Sequence, residues 1–194
     1  MRKYLLLFLF TIISSNISYA QKIDLDRIED DGRRQVMCSS KEEKLDGAKY
    51  DFLVKAYEKD GIIDWCLLVS SFNYIPDNAI LLLKLGNSDI LNIPINNLHI
   101  GKINMPSFSY MVGNIALTSP SGTADHYCAI FSPTSDQWLD IEKHGIIKVR
   151  ISSHSSFNEK SWKKDKLGKY IEKSRQIIKK RLTTTTVKSI YTDF

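Results

Sequence analysis

His126 and Cys128 stand two residues apart in an apolar run, which puts both side chains on one face of a β-strand. An imidazole beside a thiol is the pair a cysteine hydrolase needs. The ring takes the thiol proton, and the thiolate attacks an acyl carbon. His126 and Cys128 are therefore the candidate catalytic residues of an envelope or extracellular hydrolase. The residues around them carry none of the local signatures of thiol enzymes. The competing use of Cys128 is as a small buried hydrophobe. Cys38 and Cys66 also sit in strand-like runs, and three cysteines leave at least one thiol unpaired. Pairing of Cys66 with Cys128 requires adjacent strands and suitable Cα spacing.

Other chemistries lack their residues. His99, His126, His144 and His154 are scattered, with no H-E-x-x-H, no C-x-x-C and no calcium loop, so no metal site is expected. Asp24, Asp26, Glu29, Asp30 and Asp31 are dense enough to hold Ca²⁺, but they read first as a solvated polar lead-in. The phosphate-binding glycine loops and the G-x-S-x-G elbow are absent, so no cofactor is expected.

The strongest charge feature is basic. Residues 159–181 hold ten Lys/Arg against three Asp/Glu, a local net of +7. Lys163, Lys166, Lys173, Arg175 and Lys180 are candidate binding residues for anionic lipid or a polyanionic glycan. The ten cations encircle the segment rather than line one face, which favours a solvated helix. No nucleic acid partner is expected of an exported chain.

Export is read from the first residues. Arg2 and Lys3 precede an apolar run over 5–13, broken only by Thr11. Ser18 and Ala20 then occupy positions −3 and −1 of a cut before Gln21. This order is that of a secretory signal peptide over residues 1–20, and the run is too short to span a bilayer. The mature protein is then periplasmic or secreted. It has no cysteine at its first position to carry a lipid and no later stretch apolar enough to cross a membrane. Removing Arg2 and Lys3 lowers the net charge from +5 to +3, so residues 21–158 carry −4 against the basic segment.

The elements that must position these residues are mainly antiparallel β. Residues 49–59 alternate Tyr50, Phe52, Val54 and Ala56 with polar neighbours, the period of a half-buried strand. Lys59-Asp60-Gly61 turns the chain into 62–72, an apolar and central partner. Runs at 79–85 and 90–95 flank Gly86-Asn87-Ser88-Asp89, a second hairpin, and Pro94 places the latter run at an edge. Residues 110–118 and 124–132 flank Ser119-Pro120-Ser121-Gly122, a third. Residues 34–40 and 146–152 complete the set, and 21–32 read as a loose leader. Thr134 and Gln137 have capping-box spacing for a short helix over 135–144 that Gly145 stops, with His144 in its last turn. Ser156 and Glu159 have the same spacing for a long amphipathic helix over 157–182, followed by a Thr-rich tail to 194. No βαβ alternation occurs. The fold class is α+β, mainly β: an antiparallel β-sandwich or curved sheet with a short helix and a long C-terminal helix, in a single domain over 21–194.

From Trp138 through Glu142-Lys143-His144-Gly145-Ile146-Ile147-Lys148-Val149-Arg150-Ile151, the chain resembles small exported bacterial proteins of unknown function. In these a short helix, a G-I-x-K-[IV]-R-I strand and a Lys-rich helix follow one another. The resemblance implies a β-sandwich-like body closed by a terminal helix and brings no catalytic residues. Arg150, on the outward face of its strand, is expected to pair with an acid on the next. The resulting expectation is a non-enzymatic binding or accessory protein of the cell envelope. Its partner would be an envelope protein or glycan.

Overall fold

A computed structural model describes residues 21–112, 115–119, 121–153 and 156–184. The leader expected over 1–20, His154 and the tail from 185 onward lie outside them. Twelve strands and two helices are described. The strands are β1 (Ile23–Ile28), β2 (Arg34–Cys38), β3 (Lys41–Leu45), β4 (Ala48–Lys59), β5 (Ile62–Ser71), β6 (Ile80–Leu85), β7 (Ile90–Met105), β8 (Phe108–Val112), β9 (Ile115–Ser119), β10 (Gly122–Phe131), β11 (Ile146–Ser152) and β12 (Phe157–Ser161). The helices are α1 (Ser135–His144) and α2 (Leu167–Thr184). The architecture is antiparallel β with a short and a C-terminal helix, as the sequence pattern predicts.

Local chemistry explains the elements that were legible. Asp60 and Gly61 both have positive φ, the requirement of the tight turn that joins β4 to β5. The alternation in β4 buries Tyr50, Phe52, Val54 and Ala56. In α1, the Thr134 hydroxyl accepts the Gln137 N–H while the Gln137 side chain accepts the Thr134 N–H. Gly145 ends the helix at φ 65° and ψ 177°, backbone that only glycine adopts readily.

The main sheet runs β1-β2-β4-β5-β10-β7-β6-β11-β12, with β3 beside β2 along the same edge of β4. β7 is its spine. Ile90–Pro94 pairs with β6, and Ile95 onward pairs with β10. Pro94 is therefore interior to the sheet rather than on an edge strand. It is tolerated because β10's ladder stops at Ile95 and leaves no partner for the missing N–H. β10 pairs with β7 and β5, not with the run before it. The expected third hairpin is replaced by a separate β8–β9 ribbon. The main sheet is not closed. β12 is clipped to the β3–β4 hairpin where the Asp46 N–H donates to Glu159 O, the Glu159 N–H donates to Asp46 Oδ2, and Asn158 Nδ2 donates to Tyr50 Oη.

Two further expectations are corrected. The residues read as a loose leader form β1, because Asp26 accepts two bonds from Arg34 and a third from Arg181. The acidic cluster is likewise matched by Arg27 and Arg33 at Glu29 and by Arg33 at Asp31. The long helix does not start at 157. Phe157–Ser161 is β12, where Arg150 lies opposite Glu159 and bonds it, so the capping pattern at Ser156 yields to a cross-strand ion pair. The helix starts ten residues later, where Asp165 Oδ1 accepts the Gly168 N–H. A Cβ on Gly168 or on Gly145 would sit 2.6 Å from Asp165 Oδ2, so this capping side chain requires both glycines.

One core joins sheet and helices. α2 lays Leu167, Ile171 and Ile178 against Val36, Cys38, Phe52 and Val54. Burying such a side chain contributes about 1.5–3 kcal/mol. Tyr170 Oη reaches Ser39 O at 2.7 Å and Phe52 O at 2.9 Å, fixing the register of helix on sheet.

The Arg34 hydrogen bonds hold the Asp26 carboxyl below its ordinary 3.8. A lowered carboxylate contributes its stabilisation in full above the unfolded value and loses it as pH falls through the folded one. Urea unfolding midpoints should therefore fall steeply below about pH 4. Asp26→Asn should lower stability at neutral pH by about 2 kcal/mol and flatten that acid limb.

Candidate functional site

Polar groups and aromatic rings gather where β4, β5 and β7 meet the loop into α1. Tyr57, Ile63, Asp64 and Trp65 come from the β4–β5 end. Asn96 and Asn97 come from β7, and Ser132, Pro133, Thr134 and Ser135 from the loop after β10. Trp138 forms the α1 side. The groove encloses about 600 Å³, within the range of small-ligand sites.

Each wall has a local cause. Asp64 pairs opposite Tyr57 and Trp65 opposite Ala56 in the β4–β5 ladder. On β7 the register slips, because Ile130 pairs with Asn97 while Phe131 pairs with Ile95. Asn96 is the extra residue of this bulge, and bulges re-aim side chains beside sites. Asn96 Nδ2 donates to Ser132 Oγ at 3.3 Å, which ties the strand to the loop. The Gln137 side chain donates to Asn92 O, anchoring the start of α1 on β7.

The aromatic floor is fixed by Arg175 from α2. Its guanidinium lies 4.9 Å from the centre of the Trp65 ring and 4.7 Å from that of Trp138, and it pairs with Glu142 of α1. Desolvation lowers the Arg175 pKa, opposed by Glu142. Trp138 is 2% exposed, and its indole N–H has no partner among the described residues. This N–H is a donor with nothing to donate to.

The residues singled out in the sequence fall elsewhere. His126 and Cys128 do share a face of β10, but the imidazole packs edge-on against Phe72 at 5.0 Å. Among the described residues no hydrogen bond joins the ring to the thiol. All three cysteines are free thiols. Burial pushes Cys38 and Cys66 up to about 11 and raises Cys128 as well, the opposite of nucleophile activation. Among the described residues no group of three His, Cys, Asp or Glu is placed to hold a metal ion.

The basic segment is sorted rather than uniform. Arg175 is committed to the tryptophans, Lys160 to Glu43 and Arg181 to Asp26. Lys163, Lys166, Lys173 and Lys180 are exposed. Lys169, Lys173 and Lys180 fall within about 40° of one another around α2, facing away from the core. Lys179 and Arg181, also exposed, lie on other sides of α2, so the cations encircle the helix as their spacing predicts. No helix among the described residues is long and apolar enough to cross a membrane.

The groove was not legible in the sequence. Asn96-Asn97 interrupts an alternating strand, and that polar pair was the one local signal. The tryptophans are brought together only by the helix. No family model, curated protein or solved structure matches the chain.

Arg175→Ala should destabilise the protein by about 3 kcal/mol, because two ring contacts are lost and Glu142 is left unpaired. Arg175→Lys should recover only part of this, since an ammonium lacks the planar face that stacks between two indoles. Thermal or urea unfolding of the two variants checks both.

Proposed function

We propose that the protein is an exported, non-enzymatic binding protein of the cell envelope that takes a polyhydroxylated ligand, a glycan, in the Trp65–Trp138 groove. The observation that carries this reading is the pairing of the half-buried Trp65 and Tyr57 rings, backed by the buried Trp138, with a wall of short polar side chains. A sugar presents C–H faces that pack on aromatic rings and hydroxyls that both donate and accept. Asn96 and Asn97 offer both roles through one amide each. Ser132, Thr134 and Ser135 offer hydroxyls, and Asp64 accepts. Held by Arg175, the rings need little ordering when a ligand arrives. The signal-peptide pattern of residues 1–20 supports the compartment, and the raised thiols favour binding over thiol chemistry.

A glycan array probed with the purified protein should retain a defined set of envelope-type oligosaccharides. Titration of a retained one should show Asp64→Ala and Trp65→Ala each weakening it about tenfold or more, with the circular dichroism spectrum of Asp64→Ala unchanged. Binding indifferent to both substitutions, or an empty array, would overturn the reading.

Lys169, Lys173 and Lys180 on one exposed face of α2, with Lys166 just before it, support a second reading, attachment to a polyanionic envelope surface. Heparin retention should fall when Lys166, Lys169, Lys173 and Lys180 are replaced together by Gln. Retention that persists would dismiss it.

A further inference from the structure

The outer face of the β7-β6-β11-β12 half carries an ordered grid of side chains. One row reads Ile90, Lys84, Lys148, Ser161, and the next reads Asn92, Leu82, Arg150, Glu159. Lys84 and Lys148 are thus direct cross-strand neighbours, a placement in which like charges repel and destabilise the sheet. Arg150 stands beside them, two residues along β11.

The only carboxylate in these two rows is already spent. Glu159 Oε1 takes Lys148 Nζ at 2.7 Å, and Oε2 takes Arg150 Nε at 2.7 Å and Nη2 at 2.5 Å. Its backbone is bonded to Asp46 through both N–H and C=O, and its carboxylate is held by Lys148 and Arg150, away from Lys84. Among the described residues Lys84 has no ion-pair partner. Three cations and one carboxylate leave a local charge of +2. Lys84, Lys148 and Arg150, together with Leu82 and Ile90, enclose a cleft of about 250 Å³. Ile90 is 62% exposed at its rim, and Phe157 lies under Arg150 at 4.3 Å, 53% exposed.

We infer that this cleft is a binding site for a phosphoryl group carried on an apolar or sugar stem. A dianion placed between Lys84, Lys148 and Arg150 neutralises the excess +2 and removes the Lys84–Lys148 repulsion. Arg150, whose Nε–Nη2 edge is held by Glu159, adds its charge and its remaining N–H groups, and the lysines supply compact point charges. Leu82 and Ile90 pack the stem of the ligand. The site shares no residue with the Trp65–Trp138 groove, and it stands whether or not that groove binds a glycan.

The test is thermal unfolding with inorganic phosphate against chloride at equal ionic strength. Wild type should gain several degrees in Tm in phosphate. Lys84→Gln should lose most of that gain, with affinity down about tenfold or more, while Lys173→Gln on the basic helix keeps it. In chloride alone, Lys84→Gln should be at least as stable as wild type, because it removes one member of the repelling pair. Flotation with phosphatidylcholine vesicles, with and without phosphatidic acid, separates the sources. Lys84-dependent binding to the acidic vesicles assigns a lipid headgroup, and phosphate stabilisation without flotation assigns a soluble phosphoryl ligand. An equal Tm in phosphate and chloride, or a phosphate gain retained by Lys84→Gln, would overturn the inference.

Discussion

The Arg175 guanidinium between two indoles is the contact on which the rest of the site depends. It joins the three parts that build the groove: Trp65 on the sheet, Trp138 and Glu142 on α1, and α2 itself. A charge taken this far out of water is costly unless its surroundings repay it, and here two ring faces and one carboxylate do so. Rotating α2 about its axis by one residue would remove Arg175 from both rings. The Tyr170 bonds to Ser39 and Phe52 and the Asp165 wedge between Gly145 and Gly168 prevent this. The helix is thus less a lid on the sheet than a pin through it, and the groove geometry is inherited from that pin.

β7 imposes the second constraint. One strand of sixteen residues serves two half-sheets in succession, with a proline at the changeover and a bulge immediately after it. The bulge turns Asn96 and Asn97 toward the loop before α1, while the earlier half of the strand aligns Ile90 and Asn92 with Lys84 and Leu82. The groove and the cationic cleft therefore descend from two stretches of the same strand. The clip between Asp46 and Glu159 has a similar double effect. It joins β12 to the β3–β4 hairpin across the open sheet, and it fixes the backbone of the acid that neutralises Lys148 and Arg150.

Features set by neighbours in sequence were legible in the chain. The α1 cap depends on residues three apart, the β4–β5 turn on Asp60-Gly61, and the core face of β4 on strict alternation. Arg150 was expected to meet an acid on the next strand, and Glu159 is that acid. Features set across space were not legible. Ser156 and Glu159 carry a helix-start pattern, but Glu159 is worth more as a strand partner of Arg150 than as a cap. Pro94 marks an edge only when a strand has one neighbour along its whole length, and β7 changes neighbours. Arg175 reads as one more surface cation among ten until Trp65 and Trp138 are seen on either side of it. The His126–Cys128 pair had the right spacing for chemistry but a poor setting, because Phe72 occupies the ring and burial holds the thiol protonated.

The central claim is that a glycan sits on the Trp65 ring that Arg175 fixes, with Trp138 buried directly behind the groove, and the three tryptophans provide an internal control. Indole N–H resonances of ¹⁵N-labelled protein, titrated with an envelope oligosaccharide, read the site directly. Saturable shifts of the Trp65 and Trp138 signals, with Trp162 unmoved, are the predicted result. Shifts spread equally over all three indoles, or confined to Trp162, would contradict the account.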